Sequence, residues 1–70
     1  MPNLIEIAEG NPGALVLLCT LRENYSWDVV EKVLEKLEEK NLRGVSLYVY
    51  WKEECHREME TFLERVLDEK

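Results

Sequence analysis

A chain of 70 residues that is 46% hydrophobic and 34% charged fits one small globular domain over residues 1–70 better than a disordered segment. Its net charge of −6 disfavours broad attachment to nucleic acid or to an anionic membrane, since both need an excess of lysine and arginine. So short a chain has a thin hydrophobic core, and self-association would help to cover its apolar surface.

The composition also predicts a compartment. The first ten residues lack the basic start of a secretory signal, and the longest apolar run, 14–19, is far shorter than the ~20 residues of a membrane span. Cys19 and Cys55 are therefore predicted to be free thiols of a cytoplasmic protein. Glutamine is absent while glutamate, lysine and arginine are abundant, which indicates a heat-adapted, thermostable protein.

The first segment, residues 3–9, suits either two turns of helix or an edge strand, and it ends at Gly10. The turn signal that follows also has two interpretations. Asn11 as an N-cap with Pro12 at the first helical position predicts a helix over 12–23. Pro12 and Gly13 at the centre of a type II turn would instead join two strands in a hairpin.

Residues 26–40 carry the most regular helical signal. Ser26 is a suitable N-cap, and Asp28 places negative charge beside the positive end of the helix dipole. Asn41 is the predicted C-cap, and Gly44 marks a break before the last third of the chain. The buried stripe is predicted to comprise Trp27, Val30, Val33, Leu34 and Leu37.

Residues 45–68 decide the fold. Wound as one helix, they place a single apolar stripe at Val45, Tyr48, Trp51, Cys55, Met59, Phe62, Leu63 and Val66. Tyr50 is the exception and falls among the charged residues. Residues 45–51 also alternate at period two, which predicts a strand instead.

Two motifs resemble those of a group of small proteins associated with phages, prophages and related mobile elements. They are Gly10–Leu15 (GNPGAL) and a later run through Arg43-Gly44, Leu47-Tyr48 and Trp51–Cys55 (WKEEC), with Phe62 seven residues further on. The later motif of the group is R-G-x-x-I-W-x-x-Y-K-D-x-C. Here Tyr48 stands for its tryptophan, Trp51 for its tyrosine and Glu53 for its aspartate, and Val45 stands where a small or polar residue is usual. The resemblance implies no established activity, but it favours a helical protein.

We therefore predict an all-α fold, a small compact bundle of three to four helices at about 3–9, 12–23, 26–40 and 45–68. The alternative is an α+β fold of the order ββαβα. It would have a small three-stranded sheet formed by residues 4–8, 14–21 and 45–51.

Cys55 and His56 have the chemistry of a nucleophile and its base. Adjacent residues on a helix point about 100° apart, however, so His56 is poorly placed to deprotonate Cys55. The simpler interpretation makes Cys55 a small core residue and places His56 at the border of the polar face. A metal- or thiol-dependent activity centred on the two residues is the alternative function.

His56 and Glu60, at i,i+4 spacing, are candidate metal ligands, with a solvated ion pair as the simpler interpretation. The spacings typical of zinc sites are missing, and we predict no cofactor. Residues 11–13 could offer free N–H groups to an anion, but the sequence lacks a glycine-rich phosphate loop, so no anion site is assigned.

Tyr48, Tyr50 and Trp51 are the candidate partner-binding residues, because tyrosine and tryptophan are favoured at the centres of interfaces. In the simpler interpretation Tyr48 and Trp51 belong to the core and only Tyr50 is exposed. We predict a non-enzymatic interaction or accessory protein, related to viruses or mobile elements. It would dock an apolar, aromatic surface on a protein partner or on itself, as a homodimer or larger.

Overall fold

A computed structural model describes residues 3–68, and within that range the protein is 79% helical with no strand. The helices are α1 (Leu4–Ala8), α2 (Pro12–Asn24), α3 (Trp27–Lys40), α4 (Gly44–Val49) and α5 (Met59–Leu67), and a π-helical turn (Tyr50–Glu54) continues α4. The all-α prediction is confirmed, and the ββαβα alternative is wrong. Pro12 begins a helix instead of forming the centre of a hairpin turn.

Side-chain caps fix the starts of α2 and α3. The Asn11 Oδ1 atom accepts the Ala14 N–H at 2.9 Å, and the Ser26 Oγ atom accepts the Val29 N–H at 3.4 Å. Asn41 ends α3 in the left-handed conformation, with φ 57°. These three caps were predicted from the sequence, and both helices begin and end within one residue of the predicted positions.

One hydrophobic core joins all five helices. Its buried residues are Ile7, Ala8, Ala14, Leu17, Leu18, Leu21, Val30, Val33, Leu34, Leu37, Leu47, Cys55, Phe62 and Val66. The prediction that Trp27 lies in the buried stripe is wrong, because this first residue of α3 is 50% exposed. Its ring extends past the edge of the core, where the Arg22 guanidinium lies 4.6 Å from the ring centroid.

The predicted continuous helix over 45–68 is wrong, since a corner divides it. The Cys55 N–H donates to the Tyr50 carbonyl at 3.3 Å, which closes the π-helical turn. His56 and Arg57 then adopt left-handed conformations, with φ 52° and 59°, and α5 begins at Met59. We call residues 55–58 the corner. It redirects the chain so that α5 packs against α3.

Candidate interaction surface

Tyr48 lies at the contact between α2 and α4. A Cβ atom built on Gly13 would lie 2.3 Å from the Tyr48 Cδ1 atom, so the tyrosine ring rests directly on the first turn of α2. The GNPGAL motif and the later aromatic motif therefore meet in space at these two residues. Gly13 allows an approach that any side chain would block.

Tyr48 also contacts the aromatic and basic residues that follow it. Its ring meets Trp51 edge to face, with centroids 6.5 Å apart. Arg57 Nη2 donates to the Tyr48 hydroxyl oxygen at 2.7 Å, and the Lys52 Nζ atom lies 6.0 Å from the ring centroid. The half-buried Tyr48 thus connects α2, α4 and the corner.

Tyr50 is half-buried, and the interpretation that leaves it alone among the charged residues is wrong. Its ring packs edge to face against Phe62 of α5, with centroids 6.3 Å apart. Tyr50 is the first residue of the π-helical turn. Burial raises the pKa of Tyr50 above its ordinary value, and the neighbouring Cys55 adds to the effect.

Cys55 is completely buried, which confirms its interpretation as a core residue. Burial raises the pKa of the Cys55 thiol above its ordinary value. His56 is exposed in the corner. A buried thiol with a raised pKa is a poor nucleophile, and the structure does not bring it together with the imidazole in a site open to substrate. Cys19, the other free cysteine, is exposed on α2.

The candidate metal pair depended on a helix that the corner interrupts. His56 is left-handed and precedes α5, so it does not stand one helical turn from Glu60. No group of three or more His, Cys, Asp or Glu side chains within residues 3–68 could hold a metal ion. At the start of α2, the Asn11 side chain occupies the Ala14 N–H that an anion would need.

Exposed apolar side chains lie on both α2 and α4. Val16 is 57% exposed, Val45 62% and Val49 41%. Val45 and Val49 are one turn apart on α4, while Val16 is one turn from Gly13 on α2. Gly13 and Tyr48 meet at the contact between α2 and α4, and the three exposed valines lie on these same two helices.

We call Val16, Val45 and Val49 the valine face. Leu15 is also exposed, at 37%, but it lies on the far side of α2 from Gly13. The sequence analysis missed this face because it assigned Val45 to the core. The signal was the excess of apolar residues on α4, where Val45, Leu47, Tyr48 and Val49 exceed what one buried stripe can hold.

No protein-family model matches the chain, and no curated protein or solved structure shows significant similarity to it. The resemblance to phage and prophage proteins stays a prediction. Within residues 3–68, no helix combines the length and the apolar character needed to cross a membrane.

Proposed function

We propose that the protein is a non-enzymatic interaction module that docks its valine face on a protein partner, and that the first such partner is a second copy of the chain. The observation that carries the proposal is the exposure of Val16, Val45 and Val49 on adjacent helices. Such a surface gains by being covered, whereas the rest of the chain is rich in charge, with a net charge of −6.

The size of the face sets the strength of the contact. Fully burying an exposed valine contributes about 1.5 kcal/mol, so six partly exposed valines across a symmetric dimer contribute several kcal/mol. Association costs at least about 4 kcal/mol in lost freedom of motion. The valine face therefore supports weak self-association, and a partner with a wider apolar groove would bind more tightly.

The aromatic residues have different parts in this proposal. Tyr48 lies beside Val45 and Val49 on the helix surface, and it is the aromatic side chain best placed to reach a partner. Tyr50 packs on Phe62, and the Trp51 ring packs against Tyr48. We propose that Tyr50 and Trp51 act mainly by holding the valine face in shape.

The motif resemblance supports an accessory role in a virus or mobile element, and the two free thiols support a location in the cytoplasm. The abundance of glutamate, lysine and arginine supports the proposal that the protein is thermostable. The alternative activity at Cys55 and His56 gains no support from the geometry, because the thiol is buried and the imidazole is exposed.

Sedimentation equilibrium of never-denatured protein, at concentrations up to the millimolar range, tests the valine face. We expect weak, rapidly reversible self-association that strengthens with salt, because salt screens the repulsion between two chains of charge −6. Val16→Glu and Val45→Glu should each weaken it tenfold or more, since either places a carboxylate in the apolar contact.

Leu15→Glu is the matched control, because it adds the same charge on the other side of α2 and should leave self-association within twofold of the wild type. A wild-type protein that stays monomeric at every concentration and salt level would exclude a second copy as the partner. An equal weakening of self-association in all three glutamate variants would show that charge, and not the valine face, governs the association.

A further inference from the structure

We propose that the corner, residues 55–58, is a hinge through which two copies of the chain exchange α5. The product is a domain-swapped dimer in which α4, the π-helical turn and α5 of each copy run as one extended helical segment. This proposal is independent of the valine face, because it concerns how the chain closes on itself and not what covers its outer surface.

The backbone of the corner is strained. His56 and Arg57 are consecutive left-handed residues, with φ 52° and 59°, and neither is glycine. A Cβ atom makes this conformation unfavourable for L-amino acids, and two such residues in succession need their surroundings to hold them. A conformation that releases both residues therefore gains free energy.

A small set of contacts holds the corner closed. The Arg57 side chain donates to the Tyr48 hydroxyl oxygen at 2.7 Å, and the Arg57 N–H donates to the Trp51 carbonyl at 2.9 Å. The Glu58 N–H donates to the Cys55 carbonyl at 2.9 Å. The Arg57–Tyr48 side-chain contact is exposed to solvent, so water competes with it.

The sequence of the corner is compatible with a second, straight conformation. It contains no glycine or proline, the residues that normally end a helix. The inward residues Trp51, Cys55, Met59, Phe62 and Val66 also keep helical spacing across it. The same residues thus specify a bent chain in the monomer and an uninterrupted amphipathic helix when the corner opens.

Opening the corner within one chain would uncover α5, which buries Phe62 and Val66 completely. A second opened copy removes that penalty, because its α5 can occupy the same position against α3 and restore the same core. The swapped dimer keeps the core contacts of the monomer, gives up the hydrogen bonds that close the corner, and relaxes His56 and Arg57. Short, strained connections favour such an exchange.

Two double variants test the hinge, and both remove the Arg57–Tyr48 contact. Glycines at both positions (His56→Gly with Arg57→Gly) tolerate the left-handed corner, whereas alanines (His56→Ala with Arg57→Ala) favour the straight helix. After refolding at millimolar concentration and dilution, light scattering should show a slowly exchanging dimer. We expect its dimerisation constant to be at least tenfold larger for the alanine than for the glycine variant.

The contact between Tyr50 and Phe62 identifies the dimer as swapped, because the two rings lie on opposite sides of the corner. In a dimer refolded from an equal mixture of isotope-labelled and unlabelled chains, isotope-filtered NMR should show contacts between Tyr50 of one copy and Phe62 of the other. A dimer with only intrachain contacts, or equal dimerisation constants in the two variants, would overturn the proposal. Should the alanine variant not fold, the Tyr50–Phe62 contacts in the mixed-label dimer of the wild type decide between a swapped and an unswapped dimer.

Discussion

Gly13 is the residue on which the approach of α2 to α4 depends. An added Cβ atom would lie 2.3, 2.6 and 2.9 Å from Cδ1, Cε1 and Cγ of Tyr48. These atoms form the body of the ring, not the end of a flexible side chain. Replacing a helical glycine by alanine normally stabilises a protein by up to about 1 kcal/mol, but the Tyr48 ring reverses the expectation here.

We expect Gly13→Ala to lower the free energy of unfolding by about 1–3 kcal/mol, because the Tyr48 ring must leave its position to accommodate the methyl group. Urea denaturation followed by circular dichroism measures the change. In a Tyr48→Ala background the same substitution should become neutral or stabilising, since the obstructing ring is gone. A stabilising Gly13→Ala in the wild-type background would contradict the packing described.

At the scale of single helices, the ends that could be predicted from the sequence are those fixed by capping side chains. Asn11, Ser26 and Asn41 act within their own turns, so the bounds of α2 and α3 follow from the sequence. The corner has no such signal. It depends on Arg57 reaching Tyr48, nine residues earlier, and on α5 packing against α3. Tertiary contacts of this kind override a helical periodicity that continues through residues 55–58.

The contact between Tyr50 and Phe62 has a measurable consequence for stability. Because the ring packs on Phe62, we expect Tyr50→Ala to lower the free energy of unfolding by about 2 kcal/mol. Val49→Ala, in the preceding position, should cost less than about 1 kcal/mol because Val49 is 41% exposed. Thermal denaturation of both variants checks the difference. Equal effects would place Tyr50 outside the core.

At the scale of the whole molecule, the sequence predicted the all-α class, while the partner-binding role of Tyr48, Tyr50 and Trp51 stays a prediction. All three aromatic side chains make contacts within the chain: Tyr48 with Trp51, and Tyr50 with Phe62. The valine face could not be found from periodicity alone. Its exposure results from the position of α4 against α2, which depends on the approach that Gly13 allows.

From the buried Cys55 and the half-buried Tyr50 we expect the folded protein to lose stability in alkali. Burial raises both pKa values above their ordinary values of 9.0 and 10.0. At pH values between the ordinary and the raised pKa, the unfolded chain has released protons that the folded chain retains. The free energy of unfolding should therefore be unaffected by these groups below about pH 9 and fall as the pH rises further.

Urea denaturation in reducing buffer, at neutral pH and at several values above pH 9, measures this loss. Tyr50→Phe is the control, because it keeps the ring on Phe62 but removes the phenol that ionises, so its stability should fall less steeply. Parallel curves for the wild type and Tyr50→Phe would show that the Tyr50 hydroxyl contributes nothing to the alkaline response.

The contact between positions 13 and 48 also bears on how the chain can change during evolution. As long as an aromatic residue occupies position 48, natural variants should retain glycine at position 13, and a larger residue there should appear only together with a smaller one at position 48. The two positions are 35 residues apart in the sequence. Substitutions at the two positions are nevertheless expected to occur together.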